Sequence, residues 1–268
     1  YIRCDIDDED SLSDKLENRE KGLVNIAVIR LPRISNFTDF DVFTQYDGVS
    51  VSYVTKPSEI SEADMIIIPG TKSTISDMKW LRESGIEAAV IRAAEKGVPV
   101  FGICGGYQML GKIISDPDNT EGGGEISGMS LLPCTTVFHS EKTRTQISGV
   151  MGTLTGPLAA LSGKSFSGYE IHMGRTDVEG NCLSRFENGI YDGCNVKNIY
   201  GSYVHGLFDC TEISREIVMA LFKSKGLTYG GKAMSRQEYK ETQYKLLADS
   251  VRANIDMKLI YKILNEKL

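Results

Sequence analysis

The sequence predicts an α/β protein: a flavodoxin-like, doubly wound, mostly parallel sheet with antiparallel additions and a C-terminal helical tail. Three observations carry this. Four short apolar, β-branched runs, at 24–31, 49–54, 64–69 and 98–103, fall early in the chain. Continuously apolar strands of this kind are buried on both faces, as in parallel sheets. Helical patterns separate them, which gives four β-α units. Beyond Gly111 the runs become shorter, more polar and punctuated by glycine, as antiparallel hairpins are.

Residues 1–22 are a polar lead-in. Positions 5–14 hold six acidic side chains and no basic one, as a linker or the end of a preceding domain would. The main domain is expected over 23–210. Its first strand, 24–31, stops at Pro32, which has no N–H for a ladder. A short helix over 36–46 offers Phe37, Phe40, Val42 and Phe43 to the core. The strand at 49–54 follows, then a turn at Lys56-Pro57-Ser58, a short acidic helix and the strand at 64–69. Helices are expected at 72–84 and 86–96, the second ended by Gly97 at its C′ position. Next comes 98–103. Further on, 121–125 reads as a loop, and 135–138, 143–150, 168–176 and 196–204 read as strands. The last part, 211–268, is expected to be a helical extension packed on the main domain. Asp209 with Glu212, and Ser235 with Glu238, offer capping boxes for helices over 211–223 and from about 236. Leu247, Val251, Ile255, Leu259, Ile260 and Ile263 form a stripe expected to face the core, with a break near 254–256.

Composition narrows the function classes. The chain has 268 residues, 41% hydrophobic and 25% charged, with a net charge of −6. That acidic balance argues against nucleic acid or an anionic membrane as partner. No apolar run approaches the ~20 residues of a membrane span. The six cysteines are scattered without a C-x-x-C pair, and with three histidines they make no zinc pattern, so no metal is expected. Without an export signal the default location is the cytoplasm. The chain opens on Tyr1, which suggests a piece of something longer.

The chemistry centres on Gly102-Ile103-Cys104-Gly105-Gly106. A strand runs into a sharp turn and then a helix, with a nucleophile at the turn and glycines two residues to either side: the G-x-S-x-G elbow with cysteine for serine. Glycine is needed there because neighbouring backbone packs closely under an exposed nucleophile. The Gly105 N–H can face an oxyanion formed beside the sulfur. A buried structural cysteine before a tight turn is the plainer alternative. A catalytic thiol needs a base, and His205 stands at the end of a strand running into Gly206. His139 follows a strand into a loop and reads as solvated. In Gly168-Tyr169-Glu170-Ile171-His172, alternation puts Glu170 and His172 on one strand face, fit to contact a substrate or steady a loop. Pro69-Gly70-Thr71-Lys72-Ser73-Thr74 lacks the spacing of a phosphate loop. Gly70 and Thr71 lie instead at the same sheet edge as Cys104, where they can supply a second oxyanion N–H. Gly122-Gly123-Gly124 lacks the strand and helix of a dinucleotide fingerprint.

The C-G-G-x-Q elbow, the G-T-K-S-T run after the third strand and the terminal Y-V-H-G-L-F resemble the triad-type glutamine amidotransferases. The P-G-T-K-S-T…W-L-R-E-S-G run (69–85), C-G-G-Y-Q-M-L-G (104–111) and G-Y-E-I-H-M-G (168–174) resemble, within them, the branch that works on corrinoids, from about residue 5 to the end. The resemblance implies that Cys104 attacks the side-chain amide of glutamine, that His205 shuttles the proton, and that a thioester releases ammonia and then glutamate. Gly70, Thr71 and Gly105 would frame the oxyanion, and Gln108 would help hold the glutamine. Residues 23–210 would be the amidotransferase domain. Its partner would be an N-terminal synthetase domain, whose last residues the lead-in resembles. There ATP and magnesium would drive amidation of adenosylcobyrinic acid a,c-diamide, with no cofactor in this chain. Most triad members carry a glutamate two residues after the histidine, where this chain has Leu207. That leaves open what orients His205, with Glu170 one candidate. An a,c-diamide synthase, a cell-wall precursor amidase, a cysteine peptidase and a non-catalytic docking module remain alternatives.

Overall fold

The first sheet follows the apolar pattern of the sequence. The computed structural model describes residues 21–231 and 236–266. Strands β1 (Val24–Ile29), β2 (Val49–Val54), β3 (Met65–Ile68) and β4 (Val100–Ile103) are joined by helical crossovers. A 3-10 helix (Phe37–Gln45) follows β1, α1 (Pro57–Ile60) follows β2, and α2 (Thr74–Glu83) and α3 (Ile86–Glu95) follow β3. The four strands pair in parallel in the order β4-β3-β1-β2. Every residue of β3 and β4 is buried, which is why both read as unbroken apolar runs. The 3-10 helix buries Phe40, Val42 and Phe43 as expected, and Asp39 with them.

After β4 come α4 (Gly105–Leu110) and a second sheet built from β5 (Ile113–Asp116), β6 (Gly124–Ser127), β7 (Cys134–Met151), β8 (Ser165–Val178), β9 (Ser184–Phe186) and β10 (Tyr191–Asp192). The long antiparallel pair β7–β8 is its spine. The chain then returns to the first sheet. There β11 (Cys194–Val196) turns back into β12 (Ile199–Ser202), which lies parallel to β4. Two residues on, β13 (Val204–His205) pairs with β8 of the second sheet. The backbone thus changes sheets at Tyr203.

Several expectations are corrected. The runs at 135–138 and 143–150 are one strand whose register with β8 slips between Phe138 and Thr143, where the polar residues 139–142 bulge. The run at 196–204 is divided among β11, β12 and β13, because Lys197 takes a positive φ of 55° in a tight turn and the chain then changes sheets. Gly124 and Glu125 open β6 rather than ending a loop. The buried Asp116 carboxylate draws that turn tight by accepting the N–H groups of Thr120, Glu121 and Gly123.

Two α-helical expectations change as well. Helix α5 (Thr211–Ser224) buries Ile213, Ile217, Val218, Leu221 and Phe222, but its N-cap is Cys210 and no side-chain cap bond forms, so the Asp209–Glu212 box is absent. The expected break separates α6 (Arg236–Asn254) from α7 (Met257–Glu266). The stripe does not face the core: Leu247, Val251, Ile255, Leu259 and Ile263 are 36–54% exposed. Of the C-terminal extension, α5 packs on the domain. Ser235 and residues 1–20 lie outside the described residues. Among the described residues no helix is long and apolar enough to cross a membrane.

Gly106 shows how closely the elbow is packed, since a Cβ there would run into the Ile68 carbonyl of β3. Backbone cannot yield as a side-chain tip can, so overpacking here is severe. Gly106→Ala is expected to cost more than about 3 kcal/mol, read by urea unfolding, or to prevent folding.

Candidate active site

Four chain segments converge at the carboxyl ends of the parallel strands, beside the point where strand order reverses between β1 and β3. Cys104 stands between β4 and α4 with φ 51° and ψ −111°, a conformation that a side chain with Cβ rarely adopts. The surroundings enforce it. Its N–H donates to the Ser202 carbonyl of β12 at 2.8 Å, while Gly102 and Gly106 let strand and helix touch without intervening side chains. The Sγ lies 3.6 Å from the Ile171 carbonyl of β8, which forms the roof over the sulfur.

His205 ends β13 and is 1% exposed. Its Nδ1 is 2.8 Å from Oδ2 of Asp39, and the ring lies beside the Cys104 side chain, near enough for the sulfur to raise its pKa. Tyr169, its cross-strand partner, stacks on the ring at 5.3 Å, and the Asn36 amide holds the Tyr169 hydroxyl at 2.7 Å. Gly70 touches both members of the pair: a Cβ there would lie 3.2 Å from the imidazole Cε1 and 3.6 Å from the Cys104 Cβ. Burial lowers the His205 pKa, but the Asp39 and Cys104 side chains outweigh it and lift the value to about 10.

Asp39 therefore orients His205, and Glu170 does not. Glu170 faces the other way, with Oε1 3.6 Å from Nε2 of His172. Sequence reasoning passed over Asp39, although an acidic side chain among Phe37, Phe40 and Phe43 on a short helix was a visible signal. Buried carboxylates need a partner.

The backbone donors come from two loops. An antiparallel bridge pairs Ile34 with Thr71, using the bonds Ser35 N–H to Gly70 O and Lys72 N–H to Arg33 O. That pattern turns the Thr71 N–H away from the bridge. It lies toward Gly105, whose Cβ, if present, would be 3.3 Å from the Thr71 nitrogen. The Thr71 and Gly105 amides can thus face one oxyanion. The P-G-T-K-S-T run is no phosphate cradle, because its next three N–H groups are spent: Lys72 on Arg33, Ser73 on the Thr71 hydroxyl and Thr74 on Glu121.

These groups line a cavity of about 330 Å³ that holds Cys104, His205, Thr71, Gly105, Gln108 and His172. Gln108 is buried with both amide ends engaged. Its Oε1 accepts from Thr74 at 3.1 Å and its Nε2 donates to Tyr203 at 3.1 Å, so it forms a fixed wall. His172 stacks on Tyr203 at 3.8 Å, and its Nδ1 donates to the Gly174 carbonyl at 2.8 Å. Glu121, from the three-glycine loop, lines the same cavity and accepts the Thr74 N–H at the start of α2. Burial raises its pKa despite those bonds. His139 stays half-exposed, 3.8 Å from Asp118.

A thiol on a strained bend, an imidazole paired with a buried carboxylate and two neighbouring amides, on an α/β fold, are the groups that acyl transfer through a cysteine requires. The chain belongs to the family of CobB/CobQ-like glutamine amidotransferase domains, which it matches over residues 25–213. It is 50% identical to cobyric acid synthase of Ruminiclostridium cellulolyticum and 47% identical to that of Lachnoclostridium phytofermentans, each over 99% of this chain. It spans 54% and 55% of their lengths, about half of each relative. Among solved structures, PurLQS from Thermotoga maritima aligns over 75% of this chain and 99% of its own, with a TM-score of 0.57 at 16% identity. A glutamine amidotransferase aligns over 73% of this chain and 98% of its own, with a TM-score of 0.54 at 22% identity. At such identities these two likenesses establish the fold.

Because the folded pKa of His205 lies above the unfolded value, its contribution to stability is full below about pH 6.5 and is lost as pH rises toward 10. In Asp39→Asn the imidazole titration, followed by NMR, is expected to fall back toward the ordinary histidine range. Alkylation of Cys104 by a glutamine-mimicking diazoketone is expected to slow by about 10²–10⁴-fold, as when a triad loses its carboxylate.

Proposed function

We propose that this chain is the glutaminase part of a cobyric acid synthase, acting through a cysteine thioester. The observation that carries the reading is the placing of His205 between its Asp39 bond and the Cys104 side chain, in a chain of this family. The Cys104 sulfur attacks the side-chain carbonyl carbon of glutamine, and the oxygen takes the negative charge against the Thr71 and Gly105 amides. The proton shared between sulfur and imidazole passes to the amide nitrogen, the C–N bond breaks and ammonia leaves. Water then adds to the thioester with His205 taking its proton. The C–S bond breaks, the proton returns to the sulfur and glutamate departs. Glutamine and water are consumed; glutamate and ammonia are formed.

The ammonia would pass to a synthetase domain of the full-length protein, in the cytoplasm. There ATP and magnesium would drive amidation of adenosylcobyrinic acid a,c-diamide to adenosylcobyric acid. The relatives' length leaves room for such a domain, since this chain spans about half of them. The cavity also supports the division: about 330 Å³ suits a free amino acid, whereas a corrin ring with its side chains is far larger.

Cys104→Ala in the full-length protein is expected to abolish glutamine-dependent amidation and leave ammonia-dependent amidation intact. Loss of both would contradict two separate sites. Incubation of this chain with the diazoketone is expected to add one label, at Cys104, seen by mass spectrometry; a folded but unlabelled chain would remove the glutaminase reading.

A further inference from the structure

The point where the backbone changes sheets is held by an acidic side chain that the proposed chemistry does not use. Asp192 ends β10 and is buried. Its Oδ2 accepts the Ser202 hydroxyl at 2.6 Å, and its Oδ1 accepts the Tyr203 N–H at 3.1 Å. The Ser202 hydroxyl oxygen accepts the Val204 N–H at 3.0 Å, so its own proton is committed to Asp192. Each of these bonds reaches the active site within a residue or two. The Ser202 carbonyl takes the Cys104 N–H, the Tyr203 hydroxyl takes Gln108, and Val204 leads directly into His205.

We propose that Asp192 is a positioning residue for the Cys104–His205 pair, its carboxylate clamping the Ser202–Tyr203 crossover so that thiol and imidazole stay in register. The proposal rests on the glutaminase reading and adds a residue to it. Chemistry dictates the residue type. Both groups that face Asp192 are donors, so a carboxylate satisfies the pair, whereas asparagine would set an NH₂ donor against one of them. The site also bears a cost that apolar packing would avoid. Burial pushes the Asp192 pKa up to about 6, against the Ser202 and Tyr203 bonds that lower it. Glu170 raises it further and His172 lowers it, both from β8. Cys182 and Tyr107 also lie within its field. Protonation as pH falls through about 6 puts a proton where a donor now binds and loosens the clamp.

The test follows Cys104 labelling by the diazoketone between pH 5 and 8 in this chain. Wild type is expected to label progressively more slowly as pH falls through about 6. Asp192→Asn is expected to label at least 10-fold more slowly at pH 7.5 and to lack that step. Ser202→Ala, which keeps the Tyr203 bond, is expected to slow labelling less and to retain the step. Wild-type rates in Asp192→Asn, or a slowing by one factor at every pH with the step preserved, would overturn the assignment. Should Asp192→Asn not fold, amide exchange in wild type decides. Protection of the Cys104 N–H is expected to drop at least fivefold from pH 7 to pH 5 after correction for intrinsic rates, and unchanged protection would overturn the proposal. Absence of any labelling of wild type would instead remove the glutaminase reading, and this proposal with it.

Discussion

The hydrogen bond between His205 and Asp39 joins residues 166 positions apart, and the organisation of the site depends on it. Asp39 belongs to the first crossover of the parallel sheet, while His205 ends a two-residue strand of the second sheet. Neither group is tolerable alone. A buried carboxylate without a partner, or a buried imidazolium without one, would cost several kcal/mol. Paired, each accounts for the other's burial, and together they fix how the two sheets meet over the sulfur. The lift of His205 to about 10 reflects the same pairing, since the neighbouring Asp39 and Cys104 side chains outweigh desolvation.

Around that bond the backbone is arranged to leave few choices. Cys104 keeps its left-handed φ because its N–H is tied to β12 and because Gly102 and Gly106 bring α4 against β3 and β4. The donors of the loop after β3 are consumed by Arg33, Thr71 and Glu121, whereas the Thr71 N–H is turned out of its bridge. Gln108 is fixed at both ends. The cavity wall formed by Thr74, Gln108 and Glu121 is thus preorganised, its polar groups held by protein partners before any substrate enters.

The parallel half of the fold was legible because its signals are local. An almost wholly apolar run such as 64–69 admits few readings, and a cysteine between glycines after a strand admits fewer. The second half was less so. Strands as short as β9, β10 and β13 cannot display a period, and the slip in β7 hides one long strand behind a polar bulge. The helical stripe on α6 and α7 misled for a different reason: periodicity shows that a face is apolar, and burial depends on a partner that the period does not name. At the site, Cys104 and His205 stood out by their motifs. Asp39 did not, since its meaning lies in a contact with a residue 166 positions away.

The three-glycine loop shows how a feature can be worthless as a motif and still belong to the site. Gly122, Gly123 and Gly124 all have positive φ, and the loop they shape is pinned by Asp116 so that Glu121 reaches the start of α2. Thr74 there donates its N–H to Glu121 and its hydroxyl to Gln108, four residues after Cys104. A chain of bonds then runs from Gln108 through Tyr203 to Thr176 and Thr136 in the second sheet. Side-chain networks of this kind are costly unless every member is satisfied. This one is continuous from the cavity wall to the far sheet, so α4, the crossover at Tyr203 and the roof strand β8 hold their positions jointly. On the proposed glutaminase reading, a thiol that must meet an amide carbon and an imidazole at once needs that rigidity more than it needs any single contact.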